Sequence, residues 1–234
     1  MSEYDSIARL YDPWSVSVVE DVDFYVGHAQ RAGGPVVELG VGTGRIAVPT
    51  AKAGVRVIGV DSSAGMLDVC REYAEREAVH ELLDLRLGDL RDPPVEERVR
   101  LVTCPFRALL HLHTDDERLR ALRAARELLV AGGLYVFDVF APGRDDIEDT
   151  HGRWIEREPG IWERADWDEG ARTLTLSVRD ETNDTTMALA WLSPLEWRRL
   201  LDLAGFDVES LYGWFDGRPY TGGEDSVWVA RRRG

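Results

Sequence analysis

The first 140 residues alternate short β-like runs with helical stretches, and that order admits few folds. Strands that each lead into a helix predict a parallel sheet with crossover helices packed on it, a doubly wound α/β architecture. The patterning places strands at residues 35–39, 55–60, 85–87, 100–104 and 134–140, and helices over 46–53, 64–77 and 115–130. The last helix is the best marked. Thr114-Asp-Asp-Glu117 forms a capping box, Leu119, Leu122 and Leu129 lie near one apolar stripe, and Gly132-Gly133 reads as the stop. Residues 154–191 then alternate in the antiparallel manner, with strands at 161–167 and 172–178 joined by a turn at Asp168-Glu-Gly170. A helix over 194–204 follows, with Ser193 as cap, Pro194 at its first position and Gly205 at its end. Strands at 206–212 and 226–231 close the chain. There is no internal repeat or long linker. The expected organisation is an N-terminal helical segment (1–34), an α/β core (35–141), an antiparallel insertion (142–192) and a closing helix with strands (193–234).

Composition excludes some partners. Forty-three acidic residues against 28 basic ones give a net charge of −15 over 234 residues, which disfavours a nucleic-acid backbone. No run approaches the length of apolar sequence that a membrane span needs, and Met1-Ser-Glu-Tyr-Asp5 lacks the features of a signal peptide. Two cysteines, Cys70 and Cys104, are too few for a disulfide framework or a zinc site, so no metal and a cytoplasmic location are expected. Lys52 is the one lysine, Asn183 the one Asn and Gln30 the one Gln; a heat-tolerant source and a GC-rich genome account for this equally well.

The chemistry-bearing stretch is Glu38-Leu-Gly-Val-Gly-Thr-Gly44, between the first strand and a helix. Glycines at 40, 42 and 44 let the backbone turn sharply and let a ligand approach without Cβ obstruction. A dinucleotide fingerprint would need its third glycine at position 45, which is Arg45. The preceding acid suits a ligand with an amino-acid moiety better than a pyrophosphate. Asp61 ends the second strand, where a carboxylate can accept from both hydroxyls of a ribose. Asp89 follows the third strand, where it can accept an adenine amine, with Leu90 and Met66 beside the ring. Three acids at the ends of successive strands point to an adenosine-type ligand.

In order and spacing, Val36-Val-Glu-Leu-Gly-Val-Gly-Thr-Gly44, Val57-Ile-Gly-Val-Asp-Ser62 with Met66-Leu67, Gly88-Asp-Leu90 and Leu128-Leu-Val-Ala-Gly-Gly-Leu134 resemble the class I S-adenosylmethionine (SAM)-dependent methyltransferases of the small-molecule type. Leu200-Leu-Asp-Leu-Ala-Gly-Phe206 looks like that family's last helix turning into its sixth strand. The resemblance implies a seven-stranded sheet with the last strand antiparallel and an insertion acting as a lid. It implies SAM as cofactor, with Gly40 at the methionine moiety, Asp61 at the ribose, and Asp89 and Leu90 at the adenine. Glu38 would support the ammonium through water, and Tyr11, Gly42, Gly44, Ser62, Met66 and Phe106 complete the implied binding set. Tyr4 and Tyr11 resemble a segment that closes over the cofactor. The fourth-strand exit, Cys104-Pro-Phe-Arg-Ala-Leu-Leu-His111, departs from the Asn/Asp-Pro-Pro-Tyr of adenine-DNA methyltransferases, which weakens nucleic acid further as an acceptor.

The expected acceptor is a small molecule. His111 is the best-placed base, His113 is its alternative, and Asp138 near the end of the fifth strand is the second catalytic candidate. An amine acceptor is favoured by an acidic protein. O-methylation of a phenol or carboxylate, which would require a base, and SAM binding without turnover are the alternatives. Five tryptophans, Trp154, Trp162, Trp167, Trp191 and Trp197, fall in or beside the insertion, with Trp162 and Trp167 on opposite strand faces. They either join the insertion to the core or line a pocket, and the aromatic loop from Tyr212 to Tyr220 borders the same space. Arg231-Arg-Arg233 reads as a frayed basic tail. A monomer and a homodimer are both compatible with the sequence.

Overall fold

The computed structural model describes residues 3–6, 8–15 and 19–234; residues 1, 2, 7 and 16–18 of the expected N-terminal segment lie outside them. A short 3-10 turn at Glu3–Ser6 precedes α1 (Ala8–Ser15) and α2 (Val22–Ala32). The core then runs β1 (Val36–Leu39), α3 (Ala47–Lys52), β2 (Val57–Asp61), α4 (Ala64–Arg76), β3 (Leu83–Leu87), β4 (Val99–Cys104), α5 (Asp115–Leu128) and β5 (Leu129–Phe140). The insertion contributes α6 (Arg144–Thr150), β6 (Trp154–Glu158), β7 (Ile161–Asp168), β8 (Thr173–Arg179) and β9 (Asp184–Ala190). α7 (Pro194–Ala204), β10 (Phe206–Tyr212) and β11 (Asp225–Arg232) complete the chain.

Seven strands form one sheet in the order β10-β11-β5-β4-β1-β2-β3, with β11 antiparallel to both of its neighbours and the other neighbouring pairs parallel. Both faces are covered. Val37, Ile58, Val102, Phe137 and Trp228 point toward α5, α7 and the insertion, whereas Val36, Val57, Leu101, Val136 and Val229 point toward α2, α3 and α4. Alternation within apolar strands thus fills two cores at once, the arrangement that parallel sheets require. Strands β6 to β9 form a separate antiparallel sheet, whose Leu174 and Leu189 join the first core together with Trp191.

The expected elements form, and their differences from the sequence reading are local. The helix read as 115–130 stops at Leu128, because Leu129 is extended (φ −91°, ψ 145°) and pairs with Val99. Gly132-Gly133 therefore lies inside β5, in a bulge where Gly132 has φ 74°. The basic tail is not frayed. Arg232 donates to the carbonyls of Arg126 (3.0 Å) and Leu129 at the end of α5, and Arg233 pairs with Asp202 (2.5 Å) and Asp207 (2.8 Å). The Arg126 carbonyl already accepts the Leu129 N–H of the helix end, and Arg232 adds a second donor there, so the arginine supports the C-terminus of α5. Helix α6 and strands β6 and β9 carry weaker patterning than their neighbours and were not singled out as elements.

Candidate functional site

The site lies at the carboxyl ends of β1, β2 and β4. After β1 the chain folds back onto β2, with Gly40 N–H and Val41 N–H both donating to the Val60 carbonyl (2.8 and 3.0 Å). Gly42 (φ 55°) donates its N–H to Asp61 Oδ2 at 2.8 Å, and a Cβ there would meet nothing within 4 Å, so its Cα side faces open space. Gly44 (φ 87°) serves another end: a Cβ would sit 2.6 Å from Cys70 Sγ, so this glycine lets α4 approach the loop.

A cavity of about 210 Å³ opens there, lined by Gly40, Gly42, Asp61, Ser62, Met66, Asp89, Leu90 and Phe106. Tyr4, Tyr11, Arg91 and His111 complete its wall. Of the expected binding set, Glu38 and Gly44 do not line it. Asp61 Oδ1 accepts from Ser63 N–H at 2.8 Å, so each carboxylate oxygen holds one backbone donor and keeps a lone pair for the cavity. Burial raises the Asp61 pKa, and the Ser63 and Gly42 N–H groups oppose the rise. Asp89 is engaged more heavily: Arg91 donates through its backbone N–H (2.7 Å), Nε (2.9 Å) and Nη2 (2.5 Å), and holds the carboxyl below its usual range.

Glu38 is buried beneath the loop at 2% exposure. Burial pushes it up to about 8, with Arg45 opposing and Asp21 adding to the rise. Arg45 is itself clamped by two hydrogen bonds to the buried Asp21, both 2.6 Å, and lies 4.6 Å over the Phe106 ring. Its position explains why the third glycine of a dinucleotide loop is absent: the side chain supports the site from behind.

The N-terminal segment covers the cavity and is fastened at several points. Asp5 accepts from Ser63 Oγ (2.6 Å), Asp12 from Thr43 Oγ1, and Glu163 of β7 from Trp14 Nε1 (3.0 Å). Tyr4 Oη lies 2.8 Å from His111 Nε2 and 3.2 Å from Met187 Sδ of β9. His113, the alternative base, points elsewhere and donates through Nε2 to the Ala188 carbonyl at 3.2 Å.

A second cavity of about 690 Å³ lies between the large sheet's edge and the small sheet, and Tyr4, Tyr11, Phe106 and His111 line both spaces. The wall supplied by β8 and β9 is apolar, with Leu174, Leu176, Met187 and Leu189 beside Trp167 and Phe140, whereas β6 and β7 add Arg157, Glu158 and Glu163, and Trp214 and Phe215 come from the aromatic loop. Eight carboxylate residues line it against two arginines, Arg107 and Arg157. Trp167 packs on Phe140 and Trp191, whereas Trp162 is 37% exposed on the other face, as alternation requires. Asp138 reaches the same cavity at 7% exposure, but its carboxylate accepts from Tyr25 Oη (2.6 Å), Phe106 N–H (2.8 Å) and Arg107 N–H (3.1 Å). The sequence reading did not single out Asp21, Tyr25, Arg91, Arg107 or Glu224. Only Arg91, two residues past Asp89, had a local signal; the others come together through the fold.

A family described as "Methyltransferase domain" matches residues 36–133. The cypemycin N-terminal methyltransferase of a Streptomyces species is 25% identical, covering 98% of this chain and 94% of that protein. The structure of the CcbJ methyltransferase from Streptomyces caelestis superposes with a TM-score of 0.88 at 28% identity, covering 100% of this chain and 99% of that one. The sugar N-methyltransferase KedS8 from a Streptoalloteichus species gives 0.70 at 17% identity, covering 97% and 92%, a likeness of fold alone. Sheet order, glycine loop and strand-end carboxylates define a Rossmann-like SAM-binding protein. Residues 36–133 match a methyltransferase domain, and over its whole length the chain is similar to SAM-dependent methyltransferases; it is an enzyme of that activity, with SAM as its cofactor.

The residues present fit that cofactor. The buried Glu38 carboxylate beneath the loop has the charge that suits an ammonium group, and Gly42 leaves the loop open to the methionine chain. The free lone pairs of Asp61 suit ribose hydroxyls, and Met66 and Leu90 give an apolar slot for a purine.

Proposed function

We propose that the enzyme methylates an amine nitrogen on a small molecule that also carries an apolar portion, held between the large sheet and the small sheet as its lid. The observation that carries this reading is the second cavity. It shares a wall with the cofactor cavity, and its excess of carboxylates over arginines favours a cation over an anion or a neutral phenol. The inner face of β8 and β9 offers the apolar part a dry surface. The names of two relatives, an N-terminal methyltransferase and a sugar N-methyltransferase, support nitrogen as the acceptor atom.

SAM supplies an electrophilic methyl group on a sulfonium sulfur. The chain's part is to align the amine, exclude water and take away its proton. Tyr4 and His111 stand in the shared wall, 2.8 Å apart, and the Tyr4 hydroxyl can pass a proton to Nε2 of a neutral His111. Phe106 and Tyr11, with rings 6.1 Å apart, close the remainder of that wall and keep water from the transfer point.

The test measures S-adenosylhomocysteine release over matched probes: short-peptide α-amines, alkylamines, amino sugars, phenols and carboxylic acids. Turnover with amines and none with phenols or acids supports the reading; the reverse overturns it, and binding without turnover leaves a SAM-binding module. His111→Ala then reports the proton's route. A loss of roughly 100-fold or more marks a required base, and a small loss means that orientation of a neutral amine suffices.

A further inference from the structure

Residues 106 and 107 are neither glycine nor asparagine, yet both adopt left-handed backbone conformations, with φ 54° at Phe106 and 64° at Arg107. Two such residues in succession cost free energy and persist only where the surroundings over-determine them. What determines them here is a side chain from another strand. Asp138 on β5 reaches across to the exit of β4 and accepts both backbone N–H groups of the turn, Phe106 at Oδ1 (2.8 Å) and Arg107 at Oδ2 (3.1 Å). Tyr25 of α2 steadies the same carboxylate by donating to Oδ1 at 2.6 Å. A second buried acid holds the ring: Asp21 fixes Arg45 with two bonds of 2.6 Å, and Arg45 lies 4.6 Å over Phe106.

We propose that Asp138 is a positioning residue for methyl transfer, acting through the turn at residues 105–107 to set Phe106 in the wall between the cofactor and acceptor cavities. Its carboxylate is committed to three donors and does not take the acceptor's proton. The side chain thus serves the reaction without touching the reacting atoms. Arg107, released on the far side of the turn, bonds Asp225 at 2.7 Å and lines the acceptor cavity, so one carboxylate orders both spaces.

Asp138→Asn tests this with little change of shape. The amide oxygen still accepts from Tyr25 and Phe106, but the amide NH2 meets the Arg107 N–H donor to donor. Hydrogen exchange at the Phe106 and Arg107 amides should quicken by roughly ten- to hundredfold, while residues 36–44 keep wild-type protection. A second readout is calorimetric binding of sinefungin, whose amine takes the place of the transferable methyl, against S-adenosylhomocysteine, which carries nothing there. The variant should weaken sinefungin by about tenfold or more and S-adenosylhomocysteine by less than about threefold. Tyr25→Phe removes one donor, leaves Asp138 in place and should move both readouts the same way by a smaller factor, which keeps the test alive should Asp138→Asn fail to fold. Unchanged exchange at residues 106 and 107, or equal weakening of the two ligands, overturns the proposal.

Discussion

The buried carboxylate of Glu38 should make SAM binding pH-dependent in a way that can be worked out beforehand. Burial pushes Glu38 up to about 8, against the opposing charge of Arg45 and with the help of Asp21. An ammonium placed beside it favours the ionised form, so cofactor binding drives a proton off. Below pH 8 the apparent Kd for SAM should rise about tenfold per pH unit, and at pH 7 binding should release about 0.9 proton. Arg45 keeps its charge against burial because Asp21 holds it, the Cys70 thiol is pushed up to about 12, and Asp138 titrates near 6. Calorimetry in buffers of different ionisation enthalpy measures the released proton directly. Glu38→Gln keeps the shape and removes the titration: the slope should vanish, and the Kd at high pH should weaken by roughly ten- to hundredfold. The apo protein shows the opposite sign. A carboxyl raised above 4.5 contributes stability that is full below that value and lost as pH rises through about 8, so Glu38→Gln should melt higher than wild type at pH 8. No proton release at pH 7 in the wild type, or an unchanged slope in the Gln variant, would refute the reasoning.

Asp61→Ala removes the carboxylate proposed to accept the ribose hydroxyls and the anchor of the Gly42 and Ser63 N–H groups, so SAM affinity should fall by roughly 100-fold in a calorimetric titration. Gly44→Ala forces a methyl to within 2.6 Å of Cys70 Sγ at φ 87°; denaturant titration should show a loss of about 1–3 kcal/mol. Trp167→Ala removes an indole packed on Phe140 and Trp191 and bonded to Thr150 Oγ1 at 2.8 Å, and thermal melts should show it well below wild type. Trp162→Ala, on the exposed face, should lie within about 0.5 kcal/mol of wild type.

The sheet was legible because its strands are apolar and each feeds a helix with recognisable caps, as at Thr114 and Ser193. The carboxylates at the strand ends were legible for the same reason: a strand end followed by Gly or Ser fixes where Asp61 and Asp89 must stand. Local patterning failed where tertiary pairing decided the outcome. Leu129 left its helix to pair with Val99, and the basic tail gained its role only when β11 brought Arg232 beside the end of α5. The same limit hid the roles of Asp138 and Asp21, since nothing near either acid in sequence announces the turn at 105–107 or the guanidinium of Arg45. It also hid the split among the glycines, one facing ligand space and another facing Cys70.

The place of β11 has a consequence for how the molecule comes into being. This strand slots between β10 and β5, so each of those two keeps an unsatisfied backbone edge until residues 225–232 have been synthesised. A nascent chain halted before residue 225 would carry the whole glycine loop and both strand-end acids, Asp61 and Asp89, yet bare the long, apolar flank of β5 to its surroundings. Cofactor capture by the growing polypeptide therefore has to wait for β11, or else proceed on a scaffold prone to pair with its neighbours.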